Sequence, residues 1–318
     1  MLEYLKDGKV AERFKAHAWK ACKGVTLSQV QILSFPPNQN MEYAVSENII
    51  IELKGLTKRY GYGDTESFAL KDFDLTIKRG EFIMIMGPSG CGETTLLNII
   101  GLLDRATRGE YILNGEDVAG ISARRQAKLR AKKIGFVFQN FNLIEDLPII
   151  ENVALPLVYT GYSKTSRLKN ASTALKRFHL EEREYYFPYQ LSGGQQQRVA
   201  IARAIVGDPE IILADEPTGN LDSRASHIVM EELKAIHEEG NTIIMVTHNP
   251  SLTSYATRVI NMLDGQIDTD IKTVADANLP QPISVKIKKK KKEAENFVSI
   301  DTEETKKSKK RKKSRRKH

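Results

Sequence analysis

The strongest constraint on the fold of this 318-residue chain is a glycine-rich turn between a strand-like and a helix-like segment. The apolar run Phe82–Met86 has the composition of a buried strand, and the apolar stretch Leu96–Leu103 is helical in character. The turn between them, residues 87–95, reads Gly-Pro-Ser-Gly-Cys-Gly-Glu-Thr-Thr. Its three glycines let successive backbone N–H groups face one anion, and the N-terminal end of the following helix adds a positive dipole. The sequence therefore predicts a phosphate-binding loop in an α/β domain.

We predict that the whole turn contributes to nucleotide binding and that the hydroxyl of Thr94 also ligates Mg²⁺. The residues concerned are Gly87, Pro88, Ser89, Gly90, Cys91, Gly92, Glu93, Thr94 and Thr95. One of them departs from the motif, because Glu93 stands where a lysine is required to meet the β- and γ-phosphates. A lost charge-assisted hydrogen bond costs ~1.5–3 kcal/mol, and repulsion of the phosphates adds to this cost.

Three regions follow from composition: an N-terminal extension (residues 1–46), an α/β domain (47–275) and a lysine-rich tail (276–318). In the domain, short β-rich runs alternate with helical stretches, one of which spans about residues 223–239. The β-rich runs are Ile49–Leu53, Phe82–Met86, Ile134–Phe138, Ile211–Ala214 and Thr242–Val246.

The net charge of +8 is a property of the tail. Residues 286–318 contain 16 lysines and arginines against 5 acidic residues, which leaves 32 basic and 35 acidic residues in the rest of the chain. We expect the tail to remain unfolded, since it has few apolar residues. It is either a solvated extension or a segment attracted to anionic lipid headgroups. We predict a short amphipathic helix in the extension, which either docks on the domain or lies on a membrane surface or on a membrane partner.

The most specific string in the chain is Leu-Ser-Gly-Gly-Gln-Gln-Gln-Arg-Val-Ala-Ile-Ala-Arg-Ala, residues 191–204. It resembles the LSGGQ signature of ATP-binding cassette (ABC) ATPases, and other family motifs follow in the family's order. Ile211–Glu216 resembles the Walker B strand, and residues 219–222 resemble the D-loop. The resemblance implies a RecA-like P-loop NTPase core with an antiparallel β subdomain and a helical signature subdomain.

The same resemblance implies a role for each matching residue. Glu216 would polarise the attacking water, His248 would contact the γ-phosphate, and Gln139 would reach the water and the metal. Asp215, with Thr94 and Gln139, would hold Mg²⁺. The signature residues that would meet ATP are Ser192, Gly193, Gly194 and Gln195. Tyr60 would stack on adenine, although Tyr62 and Phe68 are close in sequence.

Three finer segments, residues 138–143, 188–195 and 215–222, are similar to lipoprotein-release, macrolide-export and cell-division type ABC ATPases. This branch implies a head-to-tail dimer, identical or mixed, whose two ATP sites each join one phosphate loop to the other chain's signature. It also implies a separate membrane permease with few spans, and a peripheral location on the cytoplasmic face of the membrane.

Two other functions remain open. A soluble ABC ATPase acting on ribosomes or nucleic acid would use the basic tail, but such proteins usually carry two cassettes and this chain has one. A scaffold that binds nucleotide without hydrolysis would explain Glu93. If the chain is an ATPase, Glu93 is either an isolated inactivating change or the sign of a partner cassette with an intact loop.

Overall fold

The computed structural model describes residues 48–61 and 66–273, which lie inside the predicted α/β domain. The strands are β1 (Ile49–Tyr60), β2 (Ser67–Lys78), β3 (Phe82–Met86), β4 (Arg108–Leu113), β5 (Glu116–Asp117), β6 (Ile134–Phe138), β7 (Ile211–Asp215), β8 (Thr242–Val246), β9 (Arg258–Leu263) and β10 (Gln266–Lys272). The α-helices are α1 (Glu93–Ile100), α2 (Ala123–Lys133), α3 (Ile149–Ala154), α4 (Lys164–Arg177), α5 (Gly193–Ile205) and α6 (Ser223–Glu238). The predicted helix of the extension and the basic tail lie outside the described residues.

A six-stranded sheet in the order β10-β9-β3-β8-β7-β6 forms the centre of the domain. Its strands pair in parallel except β10, which runs antiparallel to β9 at the edge. The register pairs Val246 with both Ile85 and Asp215, and Phe138 with Asp215. The loops that follow β3, β6, β7 and β8 therefore meet at one edge, where ligands bind in open parallel sheets.

Apolar layers cover both faces of this sheet. On β3, Phe82 and Met84 face the layer that contains α3 to α6, whereas Ile83 and Ile85 face the layer that contains α1 and the second sheet. This alternation explains why the central strands are continuous apolar runs, since a parallel strand is buried on both faces.

The second sheet has the order β2-β1-β4-β5, with antiparallel pairing of β4 to β1 and β5. It is the antiparallel β subdomain that the resemblance implies, and α3, α4 and α5 supply the helical part. This architecture agrees with the expected fold class, a P-loop NTPase core with these additions. No helix of the described part of the chain is long and apolar enough to cross a membrane.

Candidate active site

The phosphate loop is shaped by close backbone contacts that only glycine permits. Gly92 has a φ of +107°, and a Cβ there would lie 2.2 Å from the carbonyl oxygen of Ala69. A Cβ on Gly87 would lie 2.4 Å from the Sγ atom of Cys91. Cys91 is buried beneath the loop, whereas Pro88 and Ser89 are exposed. The loop is thus packed on its inner side and open to a ligand on its outer side.

Cys91 belongs to the packing of the loop. Its carbonyl oxygen accepts a hydrogen bond from the N–H of Gly265 at 3.0 Å. Burial, followed by the nearby carboxylate of Glu93, raises the pKa of the Cys91 thiol. The side chain therefore stays a neutral thiol that anchors the loop to the core.

Glu93, the first residue of α1, turns its carboxyl group inward. Only 6% of the side chain is exposed, and Oε2 lies 3.8 Å from Nε2 of His248. Oε1 is buried without a hydrogen-bond partner among the described residues. The pKa of Glu93 is raised to about 7, chiefly by burial; His248 opposes the shift, and the charges of Glu216 and Asp215 add to it.

The two predicted acidic residues lie where β7 ends. Asp215 is the last residue of the strand, and burial together with the Glu216 charge raises its pKa. Glu216 follows with a φ of +43°, and its N–H donates to the Val246 carbonyl at 3.0 Å. This hydrogen bond to β8 holds Glu216 in a left-handed conformation, which is costly for a non-glycine residue and is often found at functional sites.

His248 connects these carboxylates to the phosphate loop. Its Nδ1 lies 3.0 Å from the carbonyl oxygen of Gly87, and its Nε2 lies 3.1 Å from Oε1 of Glu216. Since a carbonyl oxygen only accepts, Nδ1 is the donor and Nε2 faces the carboxylate. The structure thus places His248 in contact with both Glu216 and the phosphate loop.

The oxygen groups of this site fit a hard divalent cation. Thr94 presents an exposed hydroxyl one residue after Glu93, and Asp215 presents a carboxylate. Mg²⁺ prefers such oxygen ligands and commonly shares them with phosphate oxygens of a substrate. Within residues 48–61 and 66–273, no group of three or more His, Cys, Asp and Glu side chains is arranged to hold a metal.

The signature residues begin α5 and make no hydrogen bond or ion pair with residues 87–95 in the described part of the chain. Ser192 is the N-cap, and its N–H donates to Oε1 of Gln195 at 3.1 Å. Gln197 is fully buried and donates through Nε2 to the Pro217 carbonyl at 2.7 Å. This bond ties the signature helix to the segment that follows Glu216.

Gln139 packs against the D-loop at the end of β6. A Cβ on Gly219 would lie 2.6 Å from Nε2 of Gln139. The Asn220 amide donates to the Gln139 carbonyl at 3.1 Å and to Oδ1 of Asn140 at 2.8 Å. The two loops are therefore joined by hydrogen bonds as well as by close packing.

Arg203 joins the signature helix to the same region. Its guanidinium donates to the carbonyl oxygens of Phe141, at 2.7 Å, and of Asn142. Both of these residues adopt positive φ angles, +61° and +49°. Burial lowers the pKa of Arg203 to about 10. The sequence analysis included Asn220 in the D-loop without giving it a role, and it gave Arg203 no role. The available signal for Arg203 was a charged residue inside the apolar run Val199–Ile205.

Tyr60 lies apart from these contacts. Its hydroxyl donates to Oδ2 of Asp104 at 3.1 Å, and Nζ of Lys58 lies 4.9 Å from the ring centroid. The residue is 46% exposed, and so, at 45%, is Phe68. Tyr62 lies outside the described residues. The assignment of Tyr60 to adenine stays a prediction.

Comparisons with known proteins agree with this geometry. The sequence model of the ABC transporter family matches residues 70–219. An uncharacterized ABC transporter ATP-binding protein of Methanocaldococcus jannaschii is 50% identical over 218 residues, which cover 69% of this chain and 97% of that protein. The macrolide export ATP-binding/permease protein MacB of Pasteurella multocida is 46% identical over 221 residues, which cover 70% of this chain but 34% of MacB.

A solved structure is similar over the same region. It is a dimeric, post-hydrolysis state of the ATP-binding cassette MJ0796 bound to ADP and Pi, with a TM-score of 0.65 and 45% identity. The match covers 70% of this chain and 98% of that one. The phosphate loop, the acidic end of β7, the signature helix and these similarities together show that this chain belongs to the family of ABC transporter ATP-binding proteins and is an ABC-type ATPase.

Proposed function

We propose that this chain is the ATP-hydrolysing subunit of an export-type ABC transporter, acting as a head-to-tail dimer on a membrane permease. The observation that carries the proposal is the contact of His248 with both Glu216 and the phosphate loop. These groups lie together at the sheet edge, while Ser192 of the same chain makes no bond to that loop. A second copy would supply the missing signature, and the dimeric state of the related cassette MJ0796 supports this arrangement.

In this proposal each residue of the site performs a separate task. The backbone amides of the loop bind the phosphates and Glu216 orients the attacking water. His248, which contacts the Glu216 carboxylate, also contacts the γ-phosphate. Thr94, Asp215 and Gln139 would hold Mg²⁺, which supplies neutralisation of the charge that develops in phosphoryl transfer. Ser192 and the residues after it would act on the nucleotide of the partner.

Glu93 makes this chain a weak ATPase in a homodimer, because both sites then lack the loop lysine. In a mixed dimer, the signature of this chain would serve an intact loop on the other subunit. The two cases differ in one measurement, since only the mixed dimer would hydrolyse ATP at a full rate without any change at Glu93.

The permease is proposed to dock beside the loop after β6. A groove of about 100 Å³ lies there, lined by residues that include Leu147, Glu151 and Leu168. Val158 at its edge is 48% exposed, and the adjacent Tyr159 is 72% exposed. The name of MacB joins an ATP-binding part to a permease in one protein, and this chain matches about a third of it. These features support a peripheral location on the cytoplasmic face of a membrane.

Co-purification with a few-span permease encoded by a neighbouring gene tests this proposal. Val158→Asp should reduce the recovered complex at least about tenfold, because a charge would enter an apolar contact. Ile271→Asp is the matched control, since Ile271 is a 55% exposed aliphatic residue on the edge strand β10. Equal recovery of the two variants would reject the docking surface, and failure of the unmodified chain to bind any such permease would reject the transporter function.

A further inference from the structure

The nucleotide site carries an excess of negative charge. Glu93 begins α1 at the phosphate loop, Asp215 ends β7 and Glu216 follows it, so all three carboxyl groups belong to the carboxyl edge of the sheet. His248 is the basic group in contact with two of them, with Nε2 3.1 Å from Oε1 of Glu216 and 3.8 Å from Oε2 of Glu93. A single imidazole cannot balance three carboxylates, and a bound triphosphate would add further negative charge.

One atom of this cluster has no partner. Oε1 of Glu93 is buried without a hydrogen bond among the described residues, and the side chain is 94% removed from solvent. A buried carboxylate oxygen without a donor is costly, and such atoms in native proteins call for an explanation such as an ion. The orphan oxygen belongs to the residue that replaces the lysine of the motif, next to the phosphate cradle.

We propose that Glu93 binds a second divalent cation, separate from the one expected at Thr94 and Asp215, and that this cation joins the Glu93 carboxylate to phosphate oxygens of the nucleotide. A carboxylate with one divalent cation carries a net charge of +1, the charge of the lysine that is missing. The proposal rests on nucleotide binding by residues 87–95.

The chemistry of the site favours Mg²⁺ or Mn²⁺ as this cation. Both take oxygen ligands, and Mg²⁺ is usually held by one or two carboxylates together with substrate phosphates and water. The described residues form no metal site of three or more His, Cys, Asp or Glu side chains. The cation therefore binds with the nucleotide, whose oxygens complete its coordination, and not before it.

Counting bound Mn²⁺ tests the proposal without relying on hydrolysis. The full chain is saturated with the non-hydrolysable analogue AMP-PNP, and free Mn²⁺ is measured by its electron paramagnetic resonance signal. Subtracting the Mn²⁺ bound without nucleotide removes sites elsewhere on the surface. We expect two Mn²⁺ per bound nucleotide in the unmodified chain, and one in both Glu93→Gln and Glu93→Lys. One Mn²⁺ per nucleotide in all three proteins would overturn the proposal, and would mean that Glu93 is merely protonated.

Linkage supplies a second measurement. This measurement uses Mn²⁺ concentrations at which all the nucleotide is already the Mn²⁺ complex. A further tenfold rise in free Mn²⁺ should then lower the apparent Kd of the unmodified chain for the nucleotide by up to about tenfold. The apparent Kd of Glu93→Lys for the nucleotide should not change. If Glu93→Lys binds the nucleotide and the unmodified chain does not bind it at any Mn²⁺ concentration, the cation site is overturned while the proposed function is preserved. Absence of binding by both proteins would instead reject the nucleotide site itself.

Discussion

Replacing Glu93 with glutamine should stabilise the fold at neutral pH, with a gain that shrinks in acid. Burial raises the pKa of the carboxyl from 4.5 to about 7, so folding disfavours its ionised form. Below pH 4.5 the carboxyl is protonated in both the folded and unfolded states, and there is no penalty. Between pH 4.5 and 7 the unfolded chain loses its proton first, so the free energy of unfolding falls, and above about pH 7 the penalty is constant.

The size of this effect follows from the two pKa values. At 1.36 kcal/mol per pKa unit, the penalty is about 3 kcal/mol as an upper value. Solvent screening reduces it, because His248 beside the carboxyl is 42% exposed. We expect the Glu93→Gln variant to gain at least about 1 kcal/mol over the unmodified chain when the pH rises from 5 to 8.

Urea unfolding at pH 5 and pH 8, followed by circular dichroism, measures this difference. Glu145→Gln is the control, since Glu145 is an exposed carboxylate outside the site. The control should show the same stability relative to the unmodified chain at both pH values. If the gain from Glu93→Gln were the same at pH 5 and pH 8, the Glu93 carboxyl would not lie in an environment that disfavours its charged form.

Four further predictions concern activity, stability and binding. At saturating Mg-ATP, Glu93→Lys should raise the steady-state ATPase rate of the purified chain at least about tenfold, which corresponds to ~1.4 kcal/mol of transition-state stabilisation. An unchanged rate would show that Glu93 in place of the loop lysine does not limit hydrolysis. Glu216→Gln should keep the Tm but stop multiple turnover, so an undiminished ATPase rate would rule out its proposed role. Gly92→Ala should destabilise the fold by about 2 kcal/mol or more, because its Cβ would meet a backbone carbonyl, whereas Gly120→Ala, with open space around it, should leave the Tm nearly unchanged. Deleting residues 286–318 should leave the Tm unchanged and weaken binding to anionic vesicles most at low salt; equal binding would reject a lipid role for the tail.

The central strands could be predicted from the sequence because burial on both faces makes them continuous apolar runs. The predicted bounds of β3, β6 and β8 agree with the structure, and β7 extends one residue further, to Asp215. The sequence analysis did not identify β2, β4, β5, β9 and β10, and it ended β1 at Leu53 rather than at Tyr60. For β2 and β10 the reason is that their exposed faces interrupt the apolar pattern.

The apolar pattern of the sequence did not predict the correct bounds of helix α1. The apolar run predicted a helix over Leu96–Leu103, but the structure begins it at Glu93 and ends it at Ile100. Its first turn is polar because it belongs to the phosphate loop, so the apolar pattern does not reveal it. Its end is set by the backbone, since Leu102 has a φ of +56°. In the predicted helix 223–239, by contrast, the observed α6 differs only by ending at Glu238.

The candidate site, like the fold, was only partly predictable from the sequence. The sequence identified the residues that carry the family motifs, but not the contacts that position them. Arg203 and the Phe141 carbonyl are 62 residues apart, and Asn220 and the Gln139 carbonyl are 81 residues apart. Such hydrogen bonds to backbone oxygens depend on how the loops fold. The sequence pattern of side chains therefore does not predict which carbonyl oxygen accepts.

The hydrogen bonds that involve Gln139, Asn220 and Arg203 have a consequence for local unfolding of the domain. The loop after β6 is held from one side by the D-loop and from the other by the signature helix, through carbonyls that accept from both. Opening that loop breaks bonds to both neighbours at once, so none of the three segments can fluctuate alone at low cost. In amide hydrogen exchange these segments should therefore be released together, as one cooperative unit.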